Sequence, residues 1–150
     1  MSVNYTIALN IECIKANETD DTAEFYGAVQ YRTDGKGDWI PFASTTDSNP
    51  WVVGRTASST VRVGTQNVIL PESATTVNFQ TKLYEYDPTV FDADEDLDYI
   101  EFAVPLPSGK RIESSFLGTM PETSTRREFK QGSSSTAVAG WAVNIDRVGS

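Results

Sequence analysis

Apolar and polar side chains alternate along most of the chain, and a period of two predicts strands rather than helices. In segment 3–13 one face carries Val3, Tyr5, Ile7, Leu9, Ile11 and Cys13. Similar stretches follow at 24–32, 38–44, 59–64, 67–70, 76–86, 98–106, 127–131 and 136–145. No window keeps an apolar stripe of period 3.6 over three turns. The pattern predicts an all-β fold, an antiparallel eight-stranded β-sandwich, as a single domain over residues 1–148.

Individual residues refine this prediction. Pro41 places segment 38–44 at a sheet edge or at a bulge, because proline cannot donate to a ladder. Trp141 and Cys13 follow the strand period and are predicted to lie in the core. Segment 107–125 lacks a clear period, and we expect a long connection there, with a short helix as one option. The closing pair, 149–150, is interpreted as a remnant of cloning.

Composition excludes several classes of function. The 150 residues include 21 acids against 12 Lys and Arg, a net charge of −9, with no His and one Cys. This charge disfavours binding to nucleic acid, and the lack of His removes the usual catalytic base. We therefore expect no enzyme. No segment is long and apolar enough to be transmembrane, and the first residues do not resemble a signal peptide. Secretion and membership of a larger protein both stay open, so no compartment is assigned.

The acids are concentrated in two segments that each follow a predicted strand. Segment 12–24 holds five acids, and segment 85–101 holds eight with no Lys or Arg. Two carboxylates about 4 Å apart repel by about 4 kcal/mol at an effective dielectric constant near 20. Clustered carboxylate oxygens on flexible loops favour Ca²⁺. The plainer interpretation is that these turns are solvated and keep the protein soluble.

An EF-hand does not explain the second segment. Alternate acids at 92, 94, 96 and 98 match the first ligand positions of such a loop. However, Leu97 stands where the sharp turn needs glycine, and Ala103 stands where a bidentate Glu is needed. The motif is therefore rejected.

The two acidic segments resemble the first and third loops of a C2 domain, a calcium- and phospholipid-binding β-sandwich, in its permuted topology. The sequences are NIECIKANETDDTAEFYGAVQY and LYEYDPTVFDADEDLDYI. In the first loop the resemblance implies metal ligands among Glu18, Asp20, Asp21 and Glu24. In the third it implies the pair Glu85 and Asp87, with Asp94, Asp96 or Asp98 closing the loop. A second loop would fall near SNPWVV, around 47–51. This chain departs from the family in having Glu at two implied ligand positions and a longer third loop.

The resemblance implies that Ca²⁺ is the cofactor, bound between loops one and three. The ion would lower the repulsion between the acidic rim and an anionic surface. The partner would be an anionic phospholipid or another protein, with Val90 and Phe91 as a membrane tip. An alternative for Phe91 is that it folds back onto its own loop.

Two other classes of function stay open. If Ca²⁺ only rigidifies the loops, the chain would be a structural or interaction domain, such as a toxin-associated domain or an assembly domain. It would be a carbohydrate-binding sandwich if Trp39 or Trp51 stacks on sugars.

Overall fold

The computed structural model describes residues 1–16, 21–55, 59–87, 94–114, 118–133 and 137–149, with the side chains of all except 111–120. All regular secondary structure in these parts of the chain is β-strand, as the alternation predicts. No helix in them has the length and apolar character that a membrane crossing requires. The strands are β1 Ser2–Lys15, β2 Thr22–Thr33, β3 Lys36–Thr45, β4 Trp51–Gly54, β5 Val61–Pro71, β6 Thr76–Glu85, β7 Glu95–Pro105, β8 Arg111–Ser114, β9 Gly118–Pro121, β10 Ser124–Gly132 and β11 Val138–Gly149.

Two antiparallel sheets form the sandwich. The first sheet has the order β10-β11-β1-β5, and the second has the order β3-β2-β6-β7 with β4 also paired to β2. The sandwich thus has nine strands, where the sequence predicted eight. Segments 59–64 and 67–70 are one strand, because β5 pairs with β1 from Val61 to Pro71. The added strand is β4, whose four residues are too few for alternation to reveal.

The prediction for segment 107–125 is wrong. Where the structure describes this segment, it holds the hairpin β8–β9 and the start of β10, and no helix. Each hairpin strand has four residues, which is too short for a period of two to stand out. The last strand, β11, extends to Gly149, which pairs with Asn4 on β1.

Inward-facing side chains of both sheets form one hydrophobic core. Trp141 is 1% exposed and Cys13 is 8% exposed, so both predicted core positions are confirmed. The edge position predicted from Pro41 is also confirmed, because β3 is the outermost strand of its sheet. Its register with β2 shifts between Val29 and Gln30, so the strand carries an irregularity beside the proline.

Gln131 on β10 links the two sheets through a buried polar network. Its Oε1 accepts from Thr81 Oγ1 at 2.6 Å and from Trp141 Nε1 at 2.8 Å. Its Nε2 donates to the carbonyl oxygens of Thr81 at 3.2 Å and Asp98 at 2.5 Å. The side chain is 1% exposed, so these bonds replace water entirely. The amide therefore ties β6 and β7 of one sheet to β10 and β11 of the other.

We predict that Gln131→Ala lowers the free energy of unfolding by about 3 kcal/mol, because it leaves buried donors and acceptors without partners. Gln80, on the outer face of β6, supplies the matched control. Gln80→Ala should change the free energy of unfolding by less than about 0.5 kcal/mol. Urea denaturation measures both. Equal effects of the two substitutions would contradict the linking role of Gln131.

Candidate functional site

The strand register brings the two acidic turns to one end of the sandwich. Strand β2 pairs antiparallel with β6, so its first residues lie beside the last residues of β6, with Phe25 opposite Glu85. The backbone nitrogen of Tyr86 continues this contact by donating to the carbonyl oxygen of Glu24 at 2.7 Å. The start of β2 and the end of β6 therefore lie at the same end of the sandwich. We call this region, made of residues 21–24, 85–87 and 94–95, the acidic end.

Asp94 fastens the β6–β7 turn to β2. Its Oδ2 accepts a hydrogen bond from the Tyr26 hydroxyl at 2.6 Å, and its Oδ1 accepts one from the backbone nitrogen of Asp87 at 2.9 Å. Burial, followed by the hydrogen bond to Asp94, raises the pKa of Tyr26 well above its ordinary value. One carboxylate thus links the two ends of the turn to each other and to the neighbouring strand β2.

Two glutamates at the acidic end lie on opposite faces of the second sheet, Glu85 buried and Glu24 half-buried. Glu85 points inward with the core face of β6 and is 2% exposed. Glu24 shares the outer face with Tyr26, because side chains alternate along a strand. Its Oε2 is buried and has no hydrogen-bond partner among the described residues. A buried carboxylate oxygen is costly unless a donor or a cation compensates it.

The sequence analysis missed a cation at this end. Arg55, in the connection between β4 and β5, donates from its Nη2 to the carbonyl oxygen of Ala16 at 2.9 Å. Its backbone nitrogen donates to the carbonyl oxygen of Asp21 at 3.0 Å. Arg55 therefore holds both sides of the first acidic turn. The fold thus brings a basic residue to the first acidic turn from 39 positions away in the sequence.

Asp96 and Asp98 lie within β7 rather than in the turn before it. The Lys82 ammonium is 2.5 Å from Asp96 and 4.0 Å from Asp98, whose side chains are 55% and 89% exposed. Asp98 has a φ of 64° at a shift in the β6–β7 register, a conformation that Asp tolerates better than most residues. Of the three acids predicted to close the third loop, Asp94 is the one at its end.

The remaining predicted site residues divide into two groups. Asp21 is exposed directly before β2, and Asp87 follows β6 by two residues. Glu18, Asp20, Val90 and Phe91 lie outside the described residues. In the parts of the chain that the structure describes, no three Asp, Glu or Cys side chains come together in a group that could hold a metal ion.

A second surface feature was missed by the sequence analysis. On the outer face of the second sheet, the rings of Tyr26 and Tyr84 stack with centroids 5.0 Å apart and planes 16° apart. They border an open groove of about 470 Å³, which also contacts Lys82 on β6 and, on the other side, the stretch from Ser44 to Asp47. We call this the tyrosine groove. Its sequence signal is an aromatic residue on the otherwise polar face of each strand.

The two tryptophans predicted as sugar platforms have other contacts. The Trp51 ring packs edge to face on Trp141, with centroids 6.3 Å apart, and adjoins the hydrophobic core. The Trp39 ring has the Arg32 guanidinium 4.2 Å from its centroid. Neither residue borders the tyrosine groove.

Comparisons with known proteins add little to this geometry. No protein-family model matches the chain, and neither does any curated protein. One similar solved structure is a chain of the "Crystal structure of Cry23Aa1 and Cry37Aa1 binary protein complex", with a TM-score of 0.49 and 15% identity. The match covers 95% of this chain and 97% of that chain. A likeness at this level carries no argument about function.

The ion pair on the outer face gives a prediction about pKa values. The hydrogen bond from Lys82 is the largest cause that lowers the pKa of Asp96, and the same bond raises the pKa of Lys82. Lys82→Met should therefore move the pKa of Asp96 upward, toward its ordinary value. Carbon-detected NMR titration of the Asp96 carboxyl measures this, with Lys36→Met as an exposed control. An unchanged midpoint in the Lys82 variant would contradict the pairing.

Proposed function

We propose that the chain is a calcium-binding, C2-like β-sandwich module that uses Ca²⁺ at its acidic end to attach to an anionic phospholipid or a protein partner. The observation that carries the proposal is the pairing of Phe25 with Glu85. This register gives the first and third loops of the proposed C2-like arrangement a common end. The two antiparallel sheets of the fold support the same assignment.

The charge balance at the acidic end supports a cation. Two basic side chains, Lys15 and Arg55, lie at the described strand ends and connections there. The described acids in the same region include Asp21, Glu24, Glu85, Asp87, Asp94 and Glu95. Burial of Glu85 and partial burial of Glu24 raise the cost of this excess of negative charge, since water screens their charges less. A divalent ion would offset the repulsion.

The donor set fits Ca²⁺ better than other metals. The available ligands are carboxylate and carbonyl oxygens, with no imidazole in the sequence. Ca²⁺ takes six to eight oxygen ligands in flexible geometry, whereas Mg²⁺ demands a stricter octahedron. Asp87 and Asp94 are the described acids best placed at the turn itself. The proposed ligands Glu18 and Asp20 would complete the set from the first loop.

Ion binding would change what the acidic end attracts. Without the ion, the excess carboxylates repel an anionic surface. With the ion bound, a lipid phosphate or a partner's carboxylate would fill open coordination positions. Val90 and Phe91 belong to the same turn in sequence and are proposed to enter the lipid interface.

Calorimetric titration with Ca²⁺ tests the proposal. We expect saturable binding at or below millimolar ion, and at least a tenfold loss of affinity in the double variant Asp87→Asn, Asp94→Asn, because two carboxylate ligands lose their charge. Asp38→Asn, on exposed β3 near the opposite end, is the matched control and should leave binding unchanged. Absence of heat at millimolar Ca²⁺, or equal loss in the control, would exclude the proposed site.

Liposome co-sedimentation separates attachment from a purely structural role for the ion. We expect the protein to pellet with vesicles that contain phosphatidylserine when Ca²⁺ is present, and to stay in the supernatant with a chelator. Melting should also shift upward, since an ion at a hundred times its dissociation constant stabilises a fold by about 2.7 kcal/mol. A melting shift without pelleting would favour the structural or interaction domain instead, with assembly rather than lipid attachment as its role.

A further inference from the structure

We propose that the tyrosine groove, which adjoins the proposed calcium site through the Tyr26–Asp94 hydrogen bond, is a binding site for a neutral sugar. The groove lies on the outer face of the second sheet and is open to solvent. Its walls combine two stacked aromatic rings with hydroxyl, ammonium and carboxylate groups. An apolar surface with a few convergent polar groups is the usual make-up of a small-ligand site.

The aromatic wall is rigid before any ligand arrives. The Tyr26 ring stacks on Tyr84, and its hydroxyl is tethered to Asp94 at 2.6 Å. The Tyr84 ring is held in addition by the Lys82 ammonium, 4.8 Å from its centroid. Because both rings are already fixed, a ligand that stacks on the Tyr26 ring loses little affinity to ordering of the protein. The apolar C–H face of a hexose suits such a flat surface.

The floor of the groove is made of small residues. Strand β2 contributes Gly27 and Ala28, which pair with Thr45 and Ser44 across the β2–β3 ladder. A larger side chain at Ala28 would project on the same face as Tyr26 and narrow the groove, whereas a Cβ at Gly27 would meet the carbonyl oxygen of Lys82 on β6.

The charges in the groove favour a neutral ligand with many hydroxyls. Lys82 supplies a donor, Asp47 supplies an acceptor, and Ser44 and Thr46 supply hydroxyls. An anionic ligand would meet the net charge of −9 and the neighbouring Asp47. A quaternary ammonium needs ring faces that converge on it, but these two rings are within 16° of parallel. Sugar hydroxyls, by contrast, both donate and accept.

The residues that line the groove are not among the proposed calcium ligands, and the two sites are linked by the hydrogen bond from the Tyr26 hydroxyl to Asp94. This sugar site therefore goes beyond the proposed calcium function, and each can fail without the other.

Screening against a glycan array in chelator, followed by saturation-transfer NMR with glucose, galactose, mannose and N-acetylglucosamine, tests the inference. We expect saturation transfer to at least one of these neutral sugars. Tyr26→Ala and Tyr84→Ala should each weaken its binding by about tenfold, which is about 1.4 kcal/mol. Tyr26→Phe keeps the ring and should stay within about threefold of the parent chain.

Ile69→Ala is the control, since Ile69 is 71% exposed on β5 of the other sheet and does not border the groove. The affinity of this variant for the sugar should stay within about twofold of the parent chain, and urea denaturation of each variant checks folding. The inference is overturned if no neutral sugar binds, if Ile69→Ala loses as much affinity as Tyr26→Ala, or if binding requires Ca²⁺. Sugar binding in chelator by a chain that gives no calorimetric response to Ca²⁺ would support this site and contradict the calcium site alone.

Discussion

The antiparallel register between β2 and β6 is the constraint from which the other surface features follow. It sets Phe25 opposite Glu85 and Tyr26 opposite Tyr84. The first pair fixes where the two acidic turns meet, and the second creates the stacked rings of the tyrosine groove. A shift of one residue would send the tyrosines into the core and the buried Phe25 to the surface. Burial of the inward face therefore enforces both the acidic end and the groove.

The buried polar network around Gln131 also fixes the position of the start of β7, which follows the β6–β7 turn. Gln131 binds the carbonyl oxygen of Asp98, which has a positive φ at the register shift. Four residues earlier, the Asp94 carboxylate accepts a hydrogen bond from the Tyr26 hydroxyl. The described residues at the end of this turn, from Asp94 to Asp98, are thus anchored on one side by the buried network and on the other by β2.

Alternation was enough to predict the all-β class, most strand positions and the core. It failed where strands are short, as in β4 and the hairpin β8–β9, because four residues give too few repeats. It also divided β5, where the strand runs straight through Gly64, Thr65 and Gln66 beside β1. These three residues carry no apolar side chain. The strand is continuous there because its backbone pairs with β1, which the hydrophobic pattern does not reveal.

The candidate site was harder to predict, since it depends on neighbours distant in sequence. Local spacing grouped Asp96 and Asp98 with the third loop, but both belong to β7, where Lys82 pairs with Asp96. Arg55 reaches the first acidic turn across 39 positions of sequence, which no motif would reveal. The tyrosine groove needs the β2–β6 register, because the two rings come from strands 58 positions apart.

Backbone amide NMR during a Ca²⁺ titration tests most directly whether the two acidic turns form one ion site. Peaks from the first turn and from the turn after β6 should move together with a single dissociation constant, while those of the opposite end, around Asp34 and Gly35, stay in place. Movement of one turn alone, different constants for the two turns, or no movement at millimolar Ca²⁺ would contradict a shared site.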